Sequence, residues 1–283
     1  MRLGSLEVHV LHESSFRLDG GQAFGVVPRA FWEPLAPPDE RHRVRLGVHP
    51  LLVRSGPTWA LVDTGIGERT DARFRDIYAI EDDAPVRGLI RAFGVEPGDI
   101  GLVVLSHLHF DHAGGATRRD GAGPLPAFPN ARVVMDRGEW HDAHHPVEFT
   151  RGGYRGEDLE CLEAAAEWVG PDEDAEPLPG VHFVRAPGHT AHHRGILLRS
   201  GGRAVFYPVD LLPLTPHVRL PWIAALDHHP LTVLETKRRF LARACAEGWW
   251  VCFAHHPGTA TFGRIVARDG AWALQGPLKE EID

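Results

Sequence analysis

Residues 106–115 read Ser106-His107-Leu108-His109-Phe110-Asp111-His112-Ala113-Gly114-Gly115, and the rest of the chain is best read outward from them. Three imidazoles and a carboxylate fall within six residues, at His107, His109, Asp111 and His112. On an extended backbone His107 and His109 point the same way, so they can share one ion. Asp111 continues that parity, and His112 falls on the next side of the turn. Just upstream, Leu102-Val103-Val104-Leu105 is an apolar, β-branched run that reads as a buried strand. Downstream, Ala113-Gly114-Gly115 lets the chain turn tightly. Imidazole and carboxylate donors held at the end of a buried strand suit Zn, Fe, Co or Ni, so the stretch reads as a metal site.

One loop cannot surround an ion, and the grouping suggests two metals side by side with further ligands from elsewhere. Three later segments offer them, each after or within an apolar run. Pro187-Gly188-His189-Thr190 follows Val181-His182-Phe183-Val184, Tyr207-Pro208-Val209-Asp210 follows Ala204-Val205-Phe206, and Phe253-Ala254-His255-His256-Pro257 follows Trp249-Trp250-Val251-Cys252. A carboxylate such as Asp210 can bridge two cations with its two oxygens, which an imidazole cannot.

With these motifs in order after Leu61-Val62-Asp63-Thr64-Gly65, the chain resembles the metallo-β-lactamase-fold hydrolases from about Leu51 to Phe262. The spacing is most similar to the quorum-quenching lactonase and methyl parathion hydrolase branch. The resemblance implies an α/β fold, an αββα sandwich of the metallo-β-lactamase type. It implies His107, His109 and His189 on one divalent metal and Asp111, His112 and His255 on the other, with Asp210 and a hydroxide bridging them. Zn²⁺ is the default, and such mixed sites also accept Mn, Fe, Co and Ni. Asp111 and Asp210 are the candidate catalytic carboxylates, Asp210 as a proton shuttle to the leaving group. The chain departs from the family pattern in three places: Ala191-His192-His193 follows His189-Thr190, Val209 stands where the family has Gly, and His256 follows His255. Either of the last two could be the late ligand, and position in the motif favours His255.

At 283 residues the chain can bury a sizeable core, and residues 1–283 are expected to form a single hydrolase domain. Thirty Lys and Arg against 38 Asp and Glu give a net charge of −8, which argues against nucleic acid or anionic membranes as partners. No apolar run reaches 18 residues, and Met1-Arg2-Leu3-Gly4 lacks a signal-peptide core, so a cytoplasmic location is expected. Cys161, Cys245 and Cys252 are odd in number and read as buried free thiols. With Lys237 and Lys279 the only lysines, Schiff-base chemistry has almost nothing to work with.

Leu6 to Val10 alternates like a half-exposed strand, and Val48 to Val53 with Trp59 to Val62 reads as a hairpin around Ser55-Gly56-Pro57-Thr58. Helices are expected from Pro85 to Phe93, from about Asp158 to Val169, and from Leu231 to Glu247 with Leu234, Leu241 and Cys245 inward. The Lys237-Arg238-Arg239 run reads as a solvated face of the last helix. Phe16 to Arg45 and Leu211 to Pro230 are long and rich in Pro, Gly and aromatics, so segments 16–45 and 211–230 read as lids; packing an edge or a homodimer contact is the alternative.

The expected substrate pocket draws on Phe31, Trp32, Phe110, Trp222 and His256. His228 and His229, in the second candidate lid, are expected mostly to stay out of substrate contact. For orienting the ligand imidazoles, His192 and His193 lie close to His189, and Asp63 is the better candidate, with capping of the Thr64-Gly65 turn as its alternative role. His141, His144 and His145 read as a solvent-facing cluster. The leading function is hydrolysis of a small lactone or other carboxylic ester through a metal-bridging hydroxide. The alternatives are a glyoxalase II-like thioesterase, a phosphotriesterase, and a di-iron redox protein on the same scaffold. A thioesterase acting on glutathione would need a cationic patch that the sequence does not clearly offer, and the redox group has Glu where His109 stands.

Overall fold

The computed structural model describes residues 1–68, 71–81, 84–121, 123–280 and 282. Two seven-stranded sheets form the centre. In the first, strands Arg2–Leu3, Leu6–Val10, Leu51–Ser55, Thr58–Val62, Ile100–Val104, Arg132–Asp136 and Ala166–Val169 are hydrogen-bonded in that order. The pairs up to Thr58–Val62 are antiparallel and those beyond are parallel. In the second, Ala175–Leu178, Val181–Arg185, Arg194–Ser200, Arg203–Tyr207, Trp250–Cys252, Phe262–Arg268 and Ala271–Lys279 also pair in chain order. Its one parallel pair, Arg203–Tyr207 with Trp250–Cys252, is joined by the crossover that carries helix Pro230–Ala246.

The period-two alternation of apolar residues builds three layers of core from these two sheets. Val8, Leu51, Val53, Val62, Leu102 and Val104 meet Val181, Phe183, Ile196, Leu198, Val205 and Tyr207 between the sheets. The opposite parity of the first sheet, Leu52, Leu61, Val103 and Met135, packs under Val86, Ile90, Leu159 and Leu162. Leu197, Phe206 and Val251 on the outer face of the second sheet pack under Val233, Phe240, Leu241 and Ala244 of the long helix. The result is the αββα sandwich expected from the motifs.

Several elements differ from the sequence reading. The stretch expected as a helix from Asp158 to Val169 is a helical turn Gly156–Leu159, a 3₁₀ segment Glu160–Ala165, and then a strand Ala166–Val169. Pairing of that strand with the edge of Arg132–Asp136 prevails over the weak helical periodicity. The helix expected from Pro85 is α-helical only over Val86–Leu89 and becomes 3₁₀ over Ile90–Phe93 before Gly94. In the long helix the buried stripe is Val233, Thr236, Lys237, Phe240, Leu241 and Ala244, so Lys237 faces the protein interior, and Leu234 and Cys245 lie half-buried at its margin.

Residues 16–45 are not an open loop. Ser14–Asp19 and Arg43–Val48 form an antiparallel hairpin from Ser14↔Val48 to Asp19↔Arg43, with short helices Gly20–Phe24 and Arg29–Trp32 between them. Phe16, Phe24, Trp32, Val44 and Leu46 of this hairpin pack with Leu214 and Trp222 of segment 211–230 and with Phe110. The two segments therefore form one apolar body against the end of the sandwich.

Candidate metal centre

Each candidate ligand leaves the C-terminal end of a strand. Strand Ile100–Val104 runs into Ser106 and His107, and His109 opens the helical turn Phe110–Ala113 that carries Asp111 and His112. His189 follows Val181–Arg185, Asp210 sits in the 3₁₀ turn Val209–Leu211 after Arg203–Tyr207, and His255 follows Trp250–Cys252. Gly114 and Gly115 serve close approach rather than a special backbone angle. A Cβ on Gly115 would lie 2.1 Å from the Thr64 carbonyl oxygen and one on Gly114 2.2 Å from that of Ile66. That contact lets Thr64 N–H and Oγ1–H both donate to the His112 carbonyl, at 2.7 and 2.8 Å.

The side chains converge in two groups, His107, His109, His189 and Asp210 on one side and Asp111, His112 and His255 on the other. Asp210 spans them. Its Oδ1 lies 3.0 Å from His255 Nε2 and 3.2 Å from His112 Nε2, and its Oδ2 lies 3.2 Å from His189 Nε2. Asp111 Oδ2 is 3.6 and 3.7 Å from His112 Nε2 and His255 Nε2.

The outer ring nitrogens fix which face of each imidazole is left for a cation. His112 Nδ1–H donates to Asp63 at 2.9 Å, His189 Nδ1–H to Asp227 at 2.8 Å, and His255 Nδ1–H to the Gly47 carbonyl at 2.7 Å. Their Nε2 lone pairs are thereby turned inward, where His112 Nε2 and His255 Nε2 stand 3.1 Å apart. His189 Nε2 stands 3.0 Å from His109 Nδ1, and His107 Nε2 is buried without a hydrogen-bond partner among the described residues. Lone pairs crowded onto one another and onto a carboxylate repel unless a positive charge lies between them. The donor set therefore fits two divalent cations.

The titration behaviour follows from the same crowding. Burial pushes His107 and His109 well below the ordinary histidine range, reinforced at His107 by His112 and at His109 by His189. Burial also opposes charge on His112 and His189, but Asp111 and Asp210 raise His112 well above that range, and Asp210 with Asp227 raises His189. Burial works against the Asp210 carboxylate too, yet His112, His255 and His189 hold it well below the usual carboxylate range. Protons on His112 and His189 sit where cations would, so metal binding must release them.

The surrounding groups divide differently from the sequence reading. Asp63 takes the His112 N–H and also Ser106 N–H and Oγ–H at 2.8 and 2.9 Å, which is the orienting role rather than the turn-capping one. His193 does not orient His189: its Nδ1–H donates to the Ala186 carbonyl, and its Nε2 accepts the Asp210 backbone N–H at 3.3 Å. The His189 orienter is Asp227, 38 positions away in sequence, which also accepts the Ala224 N–H. A second group missed from sequence is Glu139. Its buried carboxylate accepts Leu108 N–H at 3.2 Å, Tyr154 O–H at 2.9 Å and Thr190 O–H at 2.6 Å, tying together the two loops that carry His107, His109 and His189. No local motif marks either carboxylate.

A cavity of about 380 Å³ opens over the cluster and exposes His109, Asp111, His189, Asp210 and His255 at its floor. Phe110 lines it as expected, with Phe16 and Leu18 of the first segment, Leu46 just after it, and Leu214 of the second. Four expected pocket residues do not line it. Phe31 projects outward at 65% exposure, because its helix Arg29–Trp32 buries Trp32 instead. Trp32 stacks on Phe24 at 5.2 Å and Trp222 meets Phe24 edge-on at 5.6 Å, so both support the wall from behind. His256 belongs to neither metal-ligand group nor to the cavity wall; its carbonyl accepts from His49 at 2.8 Å. His228, by contrast, is in the wall.

Residues 43–255 match the metallo-beta-lactamase superfamily. The chain belongs to that superfamily. Among curated relatives it is 29% identical over 152 residues to an N-acyl homoserine lactonase of a Bacillus species, covering 53% of this chain and 54% of that protein. It is 31% identical over 130 residues to the N-acyl homoserine lactonase AttM of Azorhizobium caulinodans, covering 44% of this chain and 46% of that protein. The chain thus matches about half the length of these relatives. Among solved structures, a probable metal-dependent hydrolase from Staphylococcus aureus superposes with TM-score 0.89 at 26% identity, over 98% of this chain and 100% of that one. The dizinc quorum-quenching lactonase AidC, in complex with a product, superposes with TM-score 0.77 at 19% identity over 98% and 96% of the two chains, a likeness of fold. Within the metallo-β-lactamase superfamily, the relatives are those anticipated from the motif spacing. No helix among the described residues is long and apolar enough to cross a membrane.

Proposed function

We propose that this chain is a dinuclear metal-dependent hydrolase of an uncharged lactone or other carboxylic ester. The observation that carries the proposal is Asp210, whose two oxygens reach separate imidazole groups at the floor of an apolar cavity. When bound, two divalent ions would supply Lewis acidity and a water nucleophile at neutral pH. Zn²⁺ is the default metal; His107, His109 and His189 would hold one ion and Asp111, His112 and His255 the other, with Asp210 within reach of both groups. Asp63, Asp227 and the Gly47 carbonyl hold the imidazoles with their lone pairs inward. Asp111 and Asp210 present carboxylate oxygens to the cavity, and Asp210, held ionised by its imidazole neighbours, is the acceptor positioned to take a proton from an attacking water and return it to the leaving oxygen.

The wall supports the substrate class. Phe16, Leu18, Leu46, Phe110 and Leu214 are apolar, and among the described residues no Lys or Arg lines the cavity. An uncharged substrate with an apolar arm suits such a wall. A glutathione thioester, which carries carboxylates away from its reacting carbonyl, meets no Lys or Arg side chain among the described wall residues. Segments 16–45 and 211–230 act as the roof of a single hydrolase domain on this reading, and both contribute wall residues. The similarity to N-acyl homoserine lactonases puts acyl-homoserine lactones first among candidates. The test is a panel of acyl-homoserine lactones, aryl esters, glutathione thioesters and phosphotriesters on metal-replete protein. Turnover led by lactones or esters supports the reading, and preferred turnover of the thioester or the phosphotriester replaces it.

A further inference from the structure

His228 is a cavity-lining side chain for which neither the metal-ligand groups nor their orienting partners have a use. Its backbone is fixed beside the centre: His228 N–H donates to the His189 carbonyl and His229 N–H to the Gly188 carbonyl, both at 2.9 Å. Helix Pro230–Ala246 begins immediately after, and Asp227 immediately before is bonded to His189 Nδ1. The backbone that carries the ring therefore cannot drift from the site without disturbing the His189 support.

The imidazole lies over one of the two metal-ligand groups. Its centroid is 6.3 Å from that of His189 with the planes 18° apart, and 5.8 Å from that of His109. Phe149 and Tyr154 flank it at 6.0 and 6.4 Å. It is half-buried, and among the described residues no group hydrogen-bonds its ring nitrogens. An imidazole carries at least one ring N–H in either protonation state. The carboxylates Asp111 and Asp210 at the floor only accept, so a hydrogen-bond donor to a carbonyl oxygen under attack, adding to the Lewis acidity that bound metals would supply, comes from the wall.

Resting on the hydrolase reading above, we propose that His228 donates a ring N–H hydrogen bond to the carbonyl oxygen of the acyl group being cleaved, and is thereby a catalytic residue. The bond strengthens as that oxygen gains charge, so its loss falls on kcat more than on KM.

The experiment compares wild type, H228F and H228Q with N-hexanoyl homoserine lactone and 4-nitrophenyl acetate, measuring kcat, KM, metal content and Tm. Phe keeps the ring volume without a donor, and Gln keeps a donor without the ring. The expected result is a kcat for H228F lower by about 100-fold, KM and metal content nearly unchanged, and about tenfold recovery in H228Q. An H228F kcat within threefold of wild type, equal losses in both variants, or loss of bound metal in H228F overturns the assignment. A wild type inactive on both substrates overturns the hydrolase reading and this assignment with it, whereas an active wild type with an unaffected H228F overturns the assignment alone.

Discussion

Two residues beside the metal-ligand cluster hold left-handed backbone, Asp63 at φ 55° and Val209 at φ 52°. Asp63 is held there by three hydrogen bonds that also aim His112. Val209 stands where the related pattern has Gly, and a β-branched residue in this region is strained by about 1–3 kcal/mol. It remains because its side chain is fully buried between the sheets, which contributes roughly 1.5–3 kcal/mol. Val209→Gly exchanges one quantity for the other, so its Tm should stay within a few degrees of wild type in a thermal scan. Val205→Gly, on the neighbouring strand with no strain to relieve, should fall several degrees further. Asp227→Ala should weaken metal binding at the His107, His109 and His189 group by about 10–100-fold, read by chelator competition, and leave the other group near its wild-type affinity. The candidate ligands, which the fold brings into two groups, were legible in the sequence because four of them lie within six residues, and the others sit in short motifs after apolar runs. Asp227 and Glu139 were not legible, since nothing near either carboxylate in sequence says which imidazole or loop the fold will bring to it.

At the scale of elements, the sandwich strands declared themselves through period-two alternation, and the 55–58 turn falls where Gly56 and Pro57 put it. The helix expected over 158–169 failed because its apolar residues, Leu159, Leu162 and Val169, serve a turn and a strand. Lys237 was misread because charge density in sequence does not reveal which member of a run faces inward. Its ammonium donates to the carbonyls of Arg219 at 2.9 Å, Leu220 at 3.3 Å and Trp222 at 2.7 Å, and burial lowers its pKa to about 7. It thereby fastens segment 211–230 to the long helix. Lys237→Met leaves those carbonyls without this donor, at about 1–3 kcal/mol for each one left buried and unsatisfied. Calorimetry should show a Tm lower by at least about 4 °C, and KM for long-chain esters should rise more than KM for short ones. Unchanged Tm and KM would mean that the segment is held by its apolar contacts alone.

For the whole molecule, folding fixes many histidines in their neutral form. Burial lowers His49 to about 4 and His217 to about 3, the latter with help from Lys237. Both take up protons near 6.5 when unfolded, so their contribution is complete above that pH and is lost as pH falls through it toward 4 and 3. His112 and His189, raised in the fold, act in the opposite sense above 6.5, but the lowered group is larger. Denaturant titrations of metal-stripped protein should therefore show stability falling between pH 6.5 and 4, with a shallower slope in His49→Gln. Metal should raise Tm by an amount that grows with the logarithm of its free concentration, since the ligand set assembles only in the fold. The family and the layered architecture were readable from the motif order, whereas the body formed by residues 16–45 and 211–230 depends on contacts between segments remote in sequence. The central claim is that two cations share Asp210 and that hydrolysis depends on both. Titrating metal-stripped protein with Zn²⁺ while following hydrolysis of an acyl-homoserine lactone tests it most directly. The account predicts negligible turnover without metal and a rate that rises until two equivalents per chain are bound. Full activity at one equivalent, or turnover by the stripped protein, would contradict it.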